Sequence, residues 1–309
     1  MVDITHKFNT LRIAVAQAVV RVSKRETIAA IQNDAVPKGN VFAMSKAVGL
    51  LAVKKTPDIL ADCHPLPIEF TGVDYDINDL DITIRVTVKT IYKTGVEVEA
   101  MHGASAVALN MYDMLKPIDK AIEIQAIKLL KKKGGKTDFK DQFSEKLTAQ
   151  VTVCSDSISS GKKEDKAGKA IIKKLKECSV IISDYTIIPD EPLLIKQKIE
   201  KALEKQTDLV IFTGGTGLSP RDVTPEAVIP LLDTRIPGIE EAIRSYGQDR
   251  TPYSMLSRSV VGLKEKSLIL ALPGSTKGAA ESMEAIFPFI MHVFNVIKGA
   301  QHYNQNEKL

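Results

Sequence analysis

The chain has 309 residues, 44% hydrophobic and 26% charged, with a net charge of +4. That length exceeds what one core usually holds and favours two domains, and the apolar content argues against a disordered chain. The mild basic excess suits proteins that handle phosphates, while 5% aromatics and no Trp argue against a nucleic-acid binder that stacks bases.

Three cysteines, Cys63, Cys154 and Cys178, show no CxxC spacing, which points to reduced thiols rather than a disulfide framework or a zinc centre. The opening MVDITHKFNTLR lacks the apolar core of a signal peptide, and no run approaches the roughly 18–20 apolar residues of a membrane span. The expectation is a cytoplasmic protein acting on small molecules, with neither nucleic acid nor membrane as partner.

In chain order, residues 44–53 read as a helix rich in Ala and Leu. Asp62-Cys63-His64 runs into Pro65-Leu66-Pro67, a stiff loop carrying a histidine that can shuttle protons or meet phosphate; a structural histidine is the commoner case. Cys63 reads as a packed thiol. Residues 81–89 alternate strictly, with Ile82, Ile84, Val86 and Val88 on one face, as in a half-buried antiparallel strand. Glu97 and Glu99, two apart after Lys93-Thr94-Gly95, would share a face if that stretch is a strand, able to grip a guanine-like edge or simply to face water. Residues 104–115 read as a helix, and Asp113 and Lys116 lie one turn apart, either an acid/base pair or a structural one. Lys38, Lys54, Lys55, Lys131, Lys132, Lys133 and Lys136 are numerous enough for a triphosphate, though charge runs are commonly solvated faces. The mixture implies an α+β domain.

These pieces together resemble the MoaC family of cyclic pyranopterin monophosphate synthases. The strings are Met1-Val2-Asp3, KGNV from Lys38, AVKKT from Ala52, CHPLP from Cys63, KTGVEVEA from Lys93, MYDMLK from Met111 and GGK ending at Lys136. The resemblance covers residues 1–140. It implies a ferredoxin-like hexamer with active sites at subunit interfaces, and no cofactor. It also implies conversion of 3′,8-cyclo-7,8-dihydro-GTP to cyclic pyranopterin monophosphate with loss of pyrophosphate. Asp113 and Lys116 match the catalytic pair. Lys54, His64, Glu97 and Glu99 would surround the substrate, Lys38 and Lys132 would meet its phosphates, and Asp62, Cys63 and Val98 would line the surface. His102-Gly103-Ala104, Asp62 and Lys133 depart from the family pattern.

Residues 131–148 are charged, contain a Gly pair and lack apolar periodicity, so they mark the boundary; the alternative is a solvated loop within one domain. Beyond them, apolar runs at 151–154, 180–182, 209–213 and 268–272 alternate with helical stretches such as 166–176 and 192–205. This is the pattern of a doubly wound parallel sheet. Such sheets bind ligands past the carboxyl ends of their strands. Three polar or Gly-rich turns fall there: Cys154-Ser155-Asp156-Ser157, Thr213-Gly214-Gly215-Thr216-Gly217 and Pro273-Gly274-Ser275. Glycines allow positive φ and close approach, so the second turn can cradle an anion or be merely a tight connection. It lacks the Lys-Ser/Thr ending of a Walker A loop. Arg221 and Asp222 follow, as phosphate and Mg²⁺ partners or as a surface ion pair. Thr224-Pro225 reads as an N-cap with Pro at the first helical position.

TGGTG followed by RDVTPE, with SDS upstream, PDE at Pro189-Asp190-Glu191, PGIEEAIR from Pro237 and PGS ending at Ser275, resembles the MoaB/Mog family. This implies a three-layer α/β/α domain over residues 148–309. Its active members transfer AMP from Mg-ATP to molybdopterin, and the family assembles as trimers. By match, Asp190 and Asp222 hold Mg²⁺. Ser155, Asp156, Arg221, Ser275, Thr276 and the loop from Thr213 to Gly217 line the nucleotide and pterin site. The expectation is thus a bifunctional enzyme in a homo-oligomer with threefold symmetry, the alternative being a second half that only binds molybdopterin.

Overall fold

A computed structural model describes residues 1–135, 138, 141, 143 and 146–299; Lys136 and part of the expected boundary segment lie outside the described residues. The chain divides into two compact units, Met1–Phe139 and Lys140–Leu309.

In the first unit, β1 (Thr10–Arg21) leads through α1 (Arg25–Gln32), α2 (Val41–Lys54) and α3 (Thr56–Ile59) to β2 (Phe70–Asn78) and β3 (Asp81–Tyr92). Then α4 (Glu97–Leu115) and the edge strand β4 (Glu123–Lys133) follow. The sheet order is β2-β3-β1-β4 and every pairing is antiparallel, a ferredoxin-like arrangement. Period-two patterning drives it. Ala14, Ala16, Ala18 and Val20 of β1 and Ile82, Ile84, Val86 and Val88 of β3 are all fully buried under the helices. α2 and α4 meet through small residues. A Cβ on Gly49 would fall 2.5 Å from Val107 Cγ2, and one on Gly103 would fall 2.6 Å from Val53 Cγ2. The matches of Gly49 with Val107 and Gly103 with Val53 make the two helices antiparallel.

Glu97 and Glu99 do not share a strand face, because both lie in the first turn of α4. Three alternating residues cannot outweigh the helical pattern that follows them, and acidic side chains are favoured at a helix N-terminus.

In the second unit, β5 (Thr148–Cys154), α5 (Asp156–Ser159), α6 (Ala167–Glu177), β6 (Ile181–Ile188), α7 (Pro192–Glu204) and β7 (Leu209–Thr213) come first. They are followed by α8 (Thr224–Val228), β8 (Thr234–Arg235), α9 (Pro237–Gln248), β9 (Val260–Lys264), β10 (Ser267–Leu272), α10 (Thr276–Ile286) and α11 (Val293–Ile297). The six-stranded order is β6-β5-β7-β10-β9-β8. The first four strands run parallel and the last two are antiparallel additions. One face of the sheet gathers Val210, Phe212, Ile269 and Ala271 with Ile195 and Ile199 of α7. The other carries Val153 against Gly168 of α6. The result is the α/β/α sandwich expected from near-continuous apolar strands.

The chain leaves β5 toward β6 on one side and returns to β7 on the other. The gap between β5 and β7 is therefore the topological switch point, where open α/β sheets bind ligands. No single helix among the described residues is long and apolar enough to cross a membrane.

Candidate functional sites

At the end of α4, Asp113 is held from two sides. Its Oδ2 accepts from Lys38 Nζ at 2.6 Å and its Oδ1 lies 2.7 Å from Lys116 Nζ. Lys38 Nζ also donates to the Asp113 carbonyl at 2.9 Å. Lys116 is the residue that caps α4, so the helix end fixes the pair in register. Hydrogen bonds from Lys116 and then Lys38 pull the Asp113 carboxyl down to about 2, and Asp113 raises the Lys116 ammonium. Asp113 is thus a carboxylate and Lys116 an ammonium at any ordinary pH. The Asp113 side chain is 50% exposed, so a substrate can reach it.

The other expected residues of this half gather at the opposite end of α4. Glu97 Oε1 lies 3.6 Å from Lys132 Nζ. Its carboxylate folds over Gly95, where a Cβ would meet the end of the Glu97 side chain and push it aside. Glu99 is 2% exposed and accepts from the Cys63 thiol at 3.1 Å. Burial raises the Glu99 carboxyl, and burial with Glu99 alongside pushes Cys63 up to about 12, so this thiol is no nucleophile. His64 Nε2 meets the Val2 carbonyl at 2.8 Å, Asp62 meets the Met1 ammonium at 2.6 Å, and Val98 and Lys54 are exposed. Asp113 and Glu97 are sixteen residues apart on one helix, about 24 Å along its axis at roughly 1.5 Å per residue. The expected residues therefore form two clusters within a protomer and not one pocket.

In the second unit the three turns converge at the switch point. Gly214 (φ 107°) and Gly215 (φ 60°) take left-handed backbone, and a Cβ on Gly214 would fall 2.0 Å from the Cys154 carbonyl. Gly274 also presses on the loop: a Cβ there would fall 2.9 Å from Gly214 Cα. The Thr213 hydroxyl donates to the Pro273 carbonyl at 2.7 Å, the Thr216 side chain is buried, and Gly217 faces Asp222. Ser155 and Ser275 cap α5 and α10, accepting from Ile158 and Gly278, and Thr276 is exposed as the first residue of α10.

Around this loop stand three carboxylates. Arg221 donates to Asp156 Oδ2 from Nε at 3.1 Å and from Nη2 at 2.6 Å. The expected neighbours Arg221 and Asp222 are therefore not an ion pair; the arginine belongs to Asp156. Asp156 and Asp190 each accept from the other's backbone N–H at 3.2 Å. Burial, with the like charges of Asp156 and Asp222, raises the Asp190 carboxyl. Asp222 Oδ2 accepts from Ser219 N–H at 2.8 Å.

Thr224 is not an N-cap. It is the first residue of α8, Val223 occupies the cap without a side-chain bond, and the Thr224 side chain is buried beside the Cys154 thiol. Asp190 Oδ1 is buried without a hydrogen-bond partner, and it and the Thr224 hydroxyl surround the position of a Cβ on Gly215. An unpaired buried carboxylate oxygen among like charges fits a site that takes a cation. Two carboxylates with substrate phosphates suit Mg²⁺. Among the described residues no group of three His, Cys, Asp or Glu side chains could hold a metal alone.

Residues 1–135 match the MoaC family, and residues 150–292 match a family described as a probable molybdopterin binding domain. A molybdenum cofactor biosynthesis bifunctional protein of Chlorobaculum tepidum is 36% identical over 98% of this chain and 96% of its own length. The bifunctional protein of Synechococcus elongatus is also 36% identical, covering 98% of each. The chain belongs to this bifunctional family. A cyclic pyranopterin monophosphate synthase of Pelobacter propionicus is 48% identical over 44% of this chain and 86% of its own length, matching one half alone.

The departures of this chain from the MoaC pattern have local partners. His102 Nδ1 meets the Thr56 hydroxyl at 3.1 Å, Gly103 makes room for Val53, and Asp62 holds the Met1 ammonium. Two arginines escaped the sequence reading. Arg12 is 9% exposed on the core-facing phase of β1, and donates to the carbonyls of Tyr92 and Lys93 at 3.2 and 3.3 Å. Burial lowers its affinity for its proton, and nearby Glu97 and Asp138 oppose that. A charge on the buried phase of an alternating strand is a signal that sequence carries. Arg258 is the second; it lies beside the glycine loop and has no such local signal.

Proposed function

We propose that the first unit, residues 1–140, converts 3′,8-cyclo-7,8-dihydro-GTP to cyclic pyranopterin monophosphate with release of pyrophosphate. We further propose that residues 148–309 transfer AMP from Mg-ATP to molybdopterin. The observation that carries the first reading is Asp113 fixed between two ammonium groups. The carboxylate can accept a proton at one atom of the substrate and the ammonium give one at another once substrate displaces their mutual ion pair. In the free protein that pair weakens the one as a base and the other as an acid. Lys38 and Lys132 supply cations for the triphosphate. Because the clusters sit at opposite ends of α4, a working site takes Asp113 and Lys116 from one protomer and the Glu97 cluster from another. This supports a homo-oligomer.

For the second unit the reading rests on the carboxylates around the glycine loop at the switch point. Asp190 and Asp222 would hold Mg²⁺, which supplies charge neutralisation on the nucleotide phosphates. The loop from Thr213 to Gly217 would receive phosphate oxygens on its amides, with Arg221 exchanging Asp156 for a phosphate and Ser275 and Thr276 completing the wall. A phosphate oxygen of molybdopterin forms the new bond to the α-phosphorus, and pyrophosphate leaves with the broken bond. Such transfer asks for positioning and charge more than for covalent help.

Both reactions are assayed on the purified full-length chain. Cyclic pyranopterin monophosphate from the first substrate, and adenylylated molybdopterin with pyrophosphate from the second, are the expected products. Synthase activity with molybdopterin bound but never adenylylated would reduce the second unit to a binding module. Absence of the cyclic product would end the first reading.

A further inference from the structure

We propose that Arg258 is a positioning residue that sets the shape of the glycine loop for nucleotide binding; this rests on the adenylyl-transfer reading above. Arg258 lies 41 residues beyond Gly217, just before β9, yet its side chain returns to the loop. Nε donates to the Gly217 carbonyl at 2.7 Å and Nη2 donates to the Asp222 carbonyl at 2.7 Å. Nη1 donates to Glu226, and the Arg258 backbone N–H donates to the Thr216 carbonyl at 3.2 Å. One guanidinium therefore ties together both ends of the 217–222 turn.

The tied ends are the ones that matter to a nucleotide. Gly217 closes the run of amides that would receive phosphate. Asp222 aims its carboxylate from the other end, steadied by Ser219. Gly217 faces that carboxylate: a Cβ built on it would fall 2.9 Å from Asp222 Oδ2, so the two ends of the turn lie close together. Lysine cannot substitute. Its ammonium is a point donor, while the Gly217 and Asp222 carbonyls and the Glu226 carboxylate occupy the fan of a planar fork.

The surroundings separate this role from simple packing. A cavity of about 410 Å³, lined by Arg235, Glu240, Arg244 and Met255 among others, also has Arg258 in its wall. The side chain is 32% exposed, so it bridges open space to the loop and fills no core. Deleting it removes hydrogen bonds more than apolar contact.

The test uses the full-length chain with Arg258→Ala and Arg258→Lys. kcat and KM for Mg-ATP in adenylyl transfer are measured with and without added guanidinium, together with amide exchange over residues 214–222. Both variants should lose about 10- to 100-fold in kcat/KM, the scale of misplaced reacting groups. Guanidinium should restore Arg258→Ala in part and leave Arg258→Lys unchanged. Exchange across the loop should quicken in Arg258→Ala and slow again with guanidinium, while the synthase reaction of the first unit stays at wild-type rate. Wild-type turnover in both variants, a loss that guanidinium does not recover, or unaltered exchange would each overturn the proposal. If wild-type protein forms no adenylylated molybdopterin, the reading above fails, and the exchange measurement alone then decides for or against the clamp.

Discussion

Asp113 carries the sharpest consequence of any single residue. Its carboxyl lies near 2, held down by Lys116 and Lys38. A depressed carboxyl adds stability above its ordinary value and gives it up as pH falls through the lowered one, so Asp113 stays ionised under any assay condition near neutrality. An acid limb in the synthase pH profile therefore belongs to another group. Asp113→Asn and Lys116→Ala should each cut synthase turnover by about 10²- to 10⁴-fold, the usual worth of general acid–base groups. The melting temperature should barely move, and a variant that turns over normally would remove the pair from the mechanism. Asp222→Asn should weaken adenylyl transfer alone, read by assaying both reactions in one preparation. Glu99 behaves in the opposite sense to Asp113. Burial raises its carboxyl above the ordinary 4.5, so the fold is most stable with Glu99 protonated and loses that stability as pH rises through the raised value. Glu99→Gln should flatten the fall of melting temperature that occurs as pH rises from the ordinary carboxyl value to the raised one. Identical curves for the two proteins would show that the buried carboxyl is compensated elsewhere.

At the scale of elements, the long strands and the helical stretches were legible because their apolar periods run for many residues. The alternation at 81–89 becomes β3, extended to Tyr92, and 44–53 becomes the body of α2. The misread stretches were short. Glu97-Val98-Glu99 is too brief to distinguish a strand from a first helical turn, and the Thr224-Pro225 cue fits a cap one residue away from the real one. Motif strings placed the loops at the sheet's carboxyl edge, but local sequence holds no trace of Arg258 crossing back to Gly217 or of Arg221 choosing Asp156 over its neighbour. Those partnerships are set by tertiary closeness. The α2–α4 contact offers a test of how tightly the first unit is built. Gly103→Ala would gain about 1 kcal/mol of helix propensity. It would also drive a methyl to 2.6 Å from Val53 and 3.2 Å from Val86. Overpacking of this kind costs about 1–3 kcal/mol, and both valines are branched at Cβ, which leaves them little room to turn. A lowered melting transition of the first unit is expected by calorimetry; a raised one would mean that the helices separate cheaply.

For the whole molecule, the proposed synthase reaction requires residues at the two ends of one 19-residue helix to serve a single substrate. A helix does not bend back on itself, so the Asp113 cluster and the Glu97–Lys132 cluster meet only if different copies of the chain supply them. In the proposed homo-oligomer, cyclic symmetry would make every such contact recur, with each copy giving one cluster to one site and the other cluster to the next. Complementation reads this directly. Asp113→Asn and Lys132→Ala chains, each inactive as synthase alone, should regain activity when co-expressed or refolded together. A mixed pair contains one site with both mutated clusters and one site with neither. Random pairing should restore about a quarter of wild-type synthase activity if sites form across twofold-related copies. Adenylyl transfer should stay at full level throughout, because both substitutions lie within the first unit. A mixture no more active than its separate components would mean that each synthase site is built within one chain. A Lys132→Ala chain that is fully active by itself would instead remove Lys132 from the site, its 3.6 Å contact with Glu97 being the looser of the ion pairs.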